Sequence, residues 1–262
     1  MSSPHAEMIL AHLQTVEQLR ASQQADPAQA ARVRALKTYQ ALRFSATYAD
    51  LLASARYGPA ARFFLDELYG PQEFAQRDAQ FARVVPALVR LFPHDLVGTV
   101  EKLGELHALS ETLDDSTARH LTTPLSGPPR IRPQAYVRAW QATGREPARA
   151  LQIELTLGIG QAMDGYTRKP LMRSSLRLMR SPAKAAGLGD LQRFLEAGFD
   201  AFGHMKGAKE FLEPIAERER ALVAALFAPD AATRVGAATA SATAPAAGAK
   251  APPSTDPLRY LP

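Results

Sequence analysis

The 262-residue chain contains no cysteine. Disulfides, thiolate nucleophiles and cysteine-ligated zinc or iron–sulfur centres are therefore excluded, although the absence fits a reducing cytosol without requiring one. Runs of Val, Ile and Thr, which would favour strands, are nearly missing. No stretch approaches the ~20 apolar residues that a membrane span needs. The apolar run Met8-Ile9-Leu10 is too short for the h-region of a secretory signal. The phosphate-cradling patterns, His-Glu-x-x-His, the Glu-x-x-His of helix-bundle di-iron proteins and the nucleophile elbow do not occur, and no repeat of fixed period is present. These absences lead to the expectation of a soluble, cytoplasmic protein with no catalytic residue, no metal and no cofactor.

What is present favours helix. Hydrophobic residues make up 46% of the chain, with helix-forming Ala and Leu foremost. Ile9, Leu13 and Val16 fall on one helical stripe. Asp26-Pro27 is a helix start, with the carboxylate capping free amides and proline at the first position. Gly58-Pro59 opens a short helix through Leu68. An apolar face follows from Phe74 to Leu91, with a kink or break expected at Pro86. Pro93 starts the next helix, and Ser110 is read as capping another that runs to about Leu121. Further helices are expected over Pro133–Thr143, Pro147–Tyr166, Pro170–Arg180, Leu191–Met205 and Glu210–Phe227. In the helix containing Gly158 and Gly160, the glycines suggest a closely packed neighbour. The fold class is all-α, a multi-helix orthogonal or bundle-like domain over Ser3–Ala228. The proline-rich loop Thr122–Pro133 is a candidate hinge. From Pro229 to Pro262 the composition turns to Ala, Pro and Thr, and a disordered tail is expected. Its last residues, Leu258 to Pro262, read either as a short docking motif or as an accidental end.

The histidines do not assemble a metal site by spacing. Glu101 and Glu105 share a helix face, but His107 is two residues further on and points elsewhere. The His94-Asp95 doublet is better explained as a helix start, where Asp meets the positive end of the dipole.

One segment departs from the background. Between Gly165 and Gly189 lie six basic residues and no acidic one: Arg168, Lys169, Arg173, Arg177, Arg180 and Lys184. Without them the chain would carry −1 rather than its net +5. Arg173, Arg177 and Arg180 follow one helix face, and guanidinium forks suit carboxylate or phosphate. Two readings stand: a solvated face paired with acids such as Asp66, Glu67, Asp114 and Asp115, or a face for an acidic protein or small anionic ligand. Nucleic acid is not favoured, since no aromatic residues interleave for stacking. The helix is too short and too weakly amphipathic to prefer a membrane surface. Two aromatic groups, Tyr57, Phe63, Phe64, Tyr69, Phe74 and Phe81 and then Phe194, Phe199 and Phe202, read as core or as the lining of an apolar pocket. The leading expectation is a non-catalytic binding or adaptor module working through the basic helix. The alternative is a helical bundle holding an apolar ligand with an anionic head group.

The string Phe63-Phe64-Leu65-Asp66-Glu67-Leu68-Tyr69-Gly70 resembles the signature of the bacterial FFLEELY motif proteins, with Asp66 where that name has Glu. The resemblance extends from about Tyr48 to Phe227. It implies a bacterial, soluble, helical protein and brings no catalytic residue. Physically, the string is an amphipathic helix end, with Phe64 and Leu68 inward, Asp66 and Glu67 outward, and Gly70 permitting the left-handed turn that stops it.

Overall fold

A computed structural model describes residues 3–68, 75–121, 131–242 and 256–262. Among these residues the chain is all helix and turn, with no strand. Helix α1 (Pro4–Ala25) buries Ile9, Leu13 and Val16, the stripe that the sequence predicts. Asp26 caps α2 (Pro27–Thr47) by accepting hydrogen bonds from the amides of Ala28 and Gln29. Short α3 (Ala49–Ala53) and α4 (Gly58–Phe63) follow, and a wider π-type turn continues over Phe64–Leu68. Gly58 is required there, because a Cβ would lie 2.9 Å from the Leu52 carbonyl.

Helix α5 (Ala75–Leu91) runs through Pro86 without a break. Helix α6 (His94–Arg119) also corrects an expectation, because Ser110 does not start a new helix. Its hydroxyl instead accepts a hydrogen bond from Gln152 Nε2 at 2.8 Å, so a residue type that caps helices also serves inside one when its side chain has a partner. Segment 122–130, most of the candidate hinge, and Tyr69 to Phe74 lie outside the described residues. Helix α7 (Pro133–Thr143) ends on two positive-φ residues, Gly144 and Arg145, and α8 (Glu146–Thr167) begins directly after them. Gly160 gives α8 the expected close neighbour, since a Cβ there would meet a Leu212 methyl at 2.7 Å; Gly158 faces open space. Helices α9 (Pro170–Leu178) and α10 (Arg180–Ala185) form a small hairpin against α11 (Gly189–Met205), which precedes α12 (Lys209–Phe227).

The core has three parts. Val33, Leu36, Tyr136, Trp140, Leu222 and Leu226 unite α2, α7 and α12. Phe44, Ala60, Phe64, Phe202 and Phe211 unite α2, α4 with its π-type turn, α11 and α12. Ile9, Leu13 and Val85 join α1 to α5. Helices from both sides of segment 122–130 thus share one core.

The C-terminal region is more ordered than its composition suggests. Helix α13 (Ala231–Ala242) packs Ala231 and Val235 into the first cluster, and Leu258, only 3% exposed, enters the same cluster from a 3-10 turn over Pro257–Tyr260. Asp256 caps that turn at the Leu258 amide and pairs with Arg234 at 2.7 Å. Ala-rich sequence is good helix former as well as low in hydrophobicity, and a single leucine with a capped turn holds the terminus. Within the tail expected from Pro229, α13 and the turn over Pro257–Tyr260 are the helical segments among the described residues, and Leu258 is seated on the chain's own core. Residues 243–255 lie outside the described residues.

Candidate functional site

The basic segment folds into the α8–α9 junction, α9 and α10. Pro170 sets the start of α9, and a break at Met179 turns the chain into α10. Gln192 of α11 donates to the Leu176 carbonyl at 2.6 Å and holds α9 on the body.

All six predicted cations lie along this stretch, but they are not one free array. Arg168 pairs with Asp164 at 2.6 Å, Lys169 with Asp95 at 3.5 Å, Arg173 with Asp200 at 2.8 Å and Arg180 with Glu196 at 2.5 Å. These partners replace Asp66, Glu67, Asp114 and Asp115, which sit elsewhere. The hydrogen bonds from Arg180 and Gln192 hold the Glu196 carboxyl below its ordinary range, and hydrogen bonding to Glu196 in turn raises the Arg180 guanidinium. Arg177 and Lys184 form no ion pair among the described residues. A shallow dent lies between Arg173, Arg177, Arg180, Glu196 and Phe199; its volume of about 10 Å³ is room for one water.

The apolar side of α9 holds what the sequence could not show. Met172 and Leu176 are half-buried, whereas Leu171 and Leu178 stand 78% and 80% exposed and Met179 53%. They are seven residues apart, two turns of helix, and so project together.

The other candidates resolve into structure. Phe63 packs on Phe194 and Phe64 on Phe202 and Phe211, with ring centroids 5.5, 6.0 and 5.9 Å apart. A Cβ on Gly198 would lie 2.9 Å from the Phe63 ring, so that contact is closely fitted. His107 shares a hydrogen bond of 2.9 Å with Asp78, which Arg20 also holds at 2.6 Å. Glu101 meets His5 at 2.5 Å, and the His5 and His94 rings lie 6.1 Å apart. No group of three potential metal ligands occurs among the described residues.

A buried polar seam was not visible in the sequence. Arg43 pairs with Glu219, to which Tyr48 donates at 2.7 Å. Gln40 donates to Asp114 at 3.0 Å, Arg149 donates to Thr117 at 2.9 Å, and the Arg149 guanidinium lies 3.7 Å over the Trp140 ring. Burial disfavours the Arg43 charge, but the Glu219 carboxylate together with Tyr136 and Tyr48 outweighs it and raises that guanidinium. Burial pushes the Asp114 carboxyl up despite the nearby Lys37 and Arg149. The hydrogen-bonded partners are 32 to 176 residues apart in sequence, beyond the reach of any local pattern.

The sequence matches the family described as Domain of unknown function (DUF8198) over residues 19–233. The chain belongs to this family. The matched region takes in α9 and α10 as well as the buried seam, so both belong to the family's domain rather than to an appendage. No curated protein and no solved structure matches the chain. Among the described residues, no helix is long and apolar enough to cross a membrane.

Proposed function

We propose that this chain is a non-catalytic binding module that engages an acidic partner through α9 and α10. The observation that carries the reading is the pair Leu171 and Leu178, 78% and 80% exposed, beside Arg177 and Lys184, which have no ion pair among the described residues. Exposed leucines on one stripe of a helix offer apolar area that folding leaves unused. Arg173 turns outward to Asp200 and His107 turns to Asp78, and the dent among the arginines holds about one water. These features support a surface rather than a pocket for an apolar ligand with an anionic head group. The likeness of Phe63 to Gly70 to the FFLEELY motif proteins supports a bacterial, soluble protein.

The test is co-purification with the tagged full-length chain. Arg177→Glu with Lys184→Glu reverses the two cations that form no ion pair among the described residues; Arg177 still helps to lower the Glu196 carboxyl, so a thermal melt checks that the double variant keeps its fold. Arg173 and Arg180 are poorer choices, since reversing them sets carboxylates against Asp200 and Glu196. Loss of a co-purifying component in the double variant is the expected result; an unchanged set of components refutes the reading.

A further inference from the structure

We infer that the acidic partner is the surface of an anionic lipid bilayer, with Leu171 and Leu178 entering the headgroup boundary and the α9–α10 cations meeting lipid phosphates. This rests on the α9–α10 surface proposed above and names its partner.

Three observations favour a bilayer over an acidic protein. First, between Pro170 and Ala185 there is no Trp, Tyr or Phe. Protein interfaces concentrate their energy in Trp, Tyr and Arg anchors seated in pockets, and α9 has no such aromatic anchor; exposed Leu beside Lys and Arg is shared with helices that lie in a membrane interface, for which length is not the criterion, so the brevity that counts against a membrane surface in the sequence does not exclude one. Second, exposed large apolar side chains are not confined to α9. Leu91 is 69% exposed and Phe92 47%, at the corner between α5 and α6. That corner is tied to the root of α9, because Asp95 pairs with Lys169 at 3.5 Å and its carbonyl accepts from Tyr166 at 3.0 Å. Leu178, Leu171 and Leu91 are the three most exposed large apolar side chains among the described residues. A fluid surface accommodates separate protrusions, whereas a folded protein needs a matching hollow for each. Third, the ion pairs of Arg168, Lys169 and Arg173 are solvent-exposed on the cation side, and such pairs contribute little. They can be traded for lipid phosphates at small cost, and Arg177 and Lys184 need no trade at all.

The magnitudes make the test decisive. A cation close to an anionic leaflet strengthens binding roughly fivefold, and each leucine withdrawn from water roughly tenfold or more. The full-length protein is sedimented with vesicles of phosphatidylcholine alone and of phosphatidylcholine mixed with phosphatidylglycerol. It should pellet with the mixed vesicles only. Arg177→Glu with Lys184→Glu should lower partitioning by roughly 25-fold or more, and Leu171→Gln with Leu178→Gln by roughly 100-fold. A Leu178→Trp variant should show a blue-shifted emission on the mixed vesicles; the native Trp140 is buried in the core and supplies a constant background. Failure to pellet with the mixed vesicles, partitioning indifferent to the two leucines, or an unshifted Leu178→Trp emission each overturns the bilayer assignment. If vesicles are ignored while Arg177→Glu with Lys184→Glu still strips a co-purifying protein, the bilayer falls and the α9–α10 surface stands.

Discussion

Removing Arg43 probes the buried seam most directly. Its side chain is 7% exposed and its partner Glu219 18%. Arg43→Leu leaves Glu219 with Tyr48 as its remaining close donor, and a buried charge stripped of its partner costs about 3–5 kcal/mol. The Arg43 Nε has no acceptor in the native protein, so the native pair is imperfect and the loss belongs near about 3 kcal/mol. Adding Glu219→Leu removes the stranded carboxylate. Apolar replacement of a whole buried pair is often neutral or stabilising, so the double variant should recover most of the loss. Urea denaturation followed through Trp140, the single tryptophan, gives the four corners of the cycle if the slope with denaturant stays constant. An Arg43→Leu cost under about 1 kcal/mol, or single costs that add in the double variant, would show that Glu219 is solvated in the native state and that the seam holds no desolvated pair.

Other expectations follow the same logic. Gly158→Ala should raise stability by about 1 kcal/mol, since only helix propensity changes in open space, whereas Gly160→Leu should lower it by about 1–3 kcal/mol by overpacking against Leu212; thermal melts of the pair should move in opposite directions. Asp114→Asn should raise the melting temperature at neutral pH. Burial raises the Asp114 pKa, so the native protein carries the cost of that carboxylate once the pH exceeds its folded pKa; below the ordinary carboxylate range, about 4, both states are protonated and the advantage should vanish. Asp78→Asn should do the reverse. Burial raises the Asp78 pKa, but His107 and Arg20 outweigh it and leave it lowered; the wild-type carboxylate therefore stabilises above about 4, and its margin over the variant should shrink as the pH falls through the lowered value. Leu258→Ala should cost about 2–3 kcal/mol in chemical denaturation, the lower part of the range for a buried leucine, because a peripheral segment can detach instead of leaving a cavity; a cost below about 0.5 kcal/mol would mean that the terminal turn is not part of the core.

Helix positions were legible because their signals are local. Asp26-Pro27, Pro133 and Gly144 mark termini by chemistry that acts within a few residues. Periodicity located the apolar stripe of each helix, but a stripe does not say whether a neighbour covers it. Leu171 and Leu178 read like Leu222 and Leu226, and only their exposure among the described residues distinguishes them. Charge was misleading for the same reason. The acid-free run from Gly165 to Gly189 looked like a free basic face, yet Lys169 finds its partner 74 positions away at Asp95 and Arg173 finds Asp200 on α11. The Ala-rich tail was ambiguous on composition, which suits an unpacked segment and an Ala-driven helix equally well.

The burial of Leu258 also sets a clock on folding. It joins a cluster whose other members include Val33, Leu36, Leu222 and Leu226, and it is encoded thirty-two residues after Leu226. At synthesis rates of about 5–20 residues per second, that cluster waits roughly 2–6 s for its final apolar member after the α12 leucines have been made. During that interval the seat between α2, α12 and α13 is an open hydrophobic slot, and chains interrupted before Asp256 keep it open.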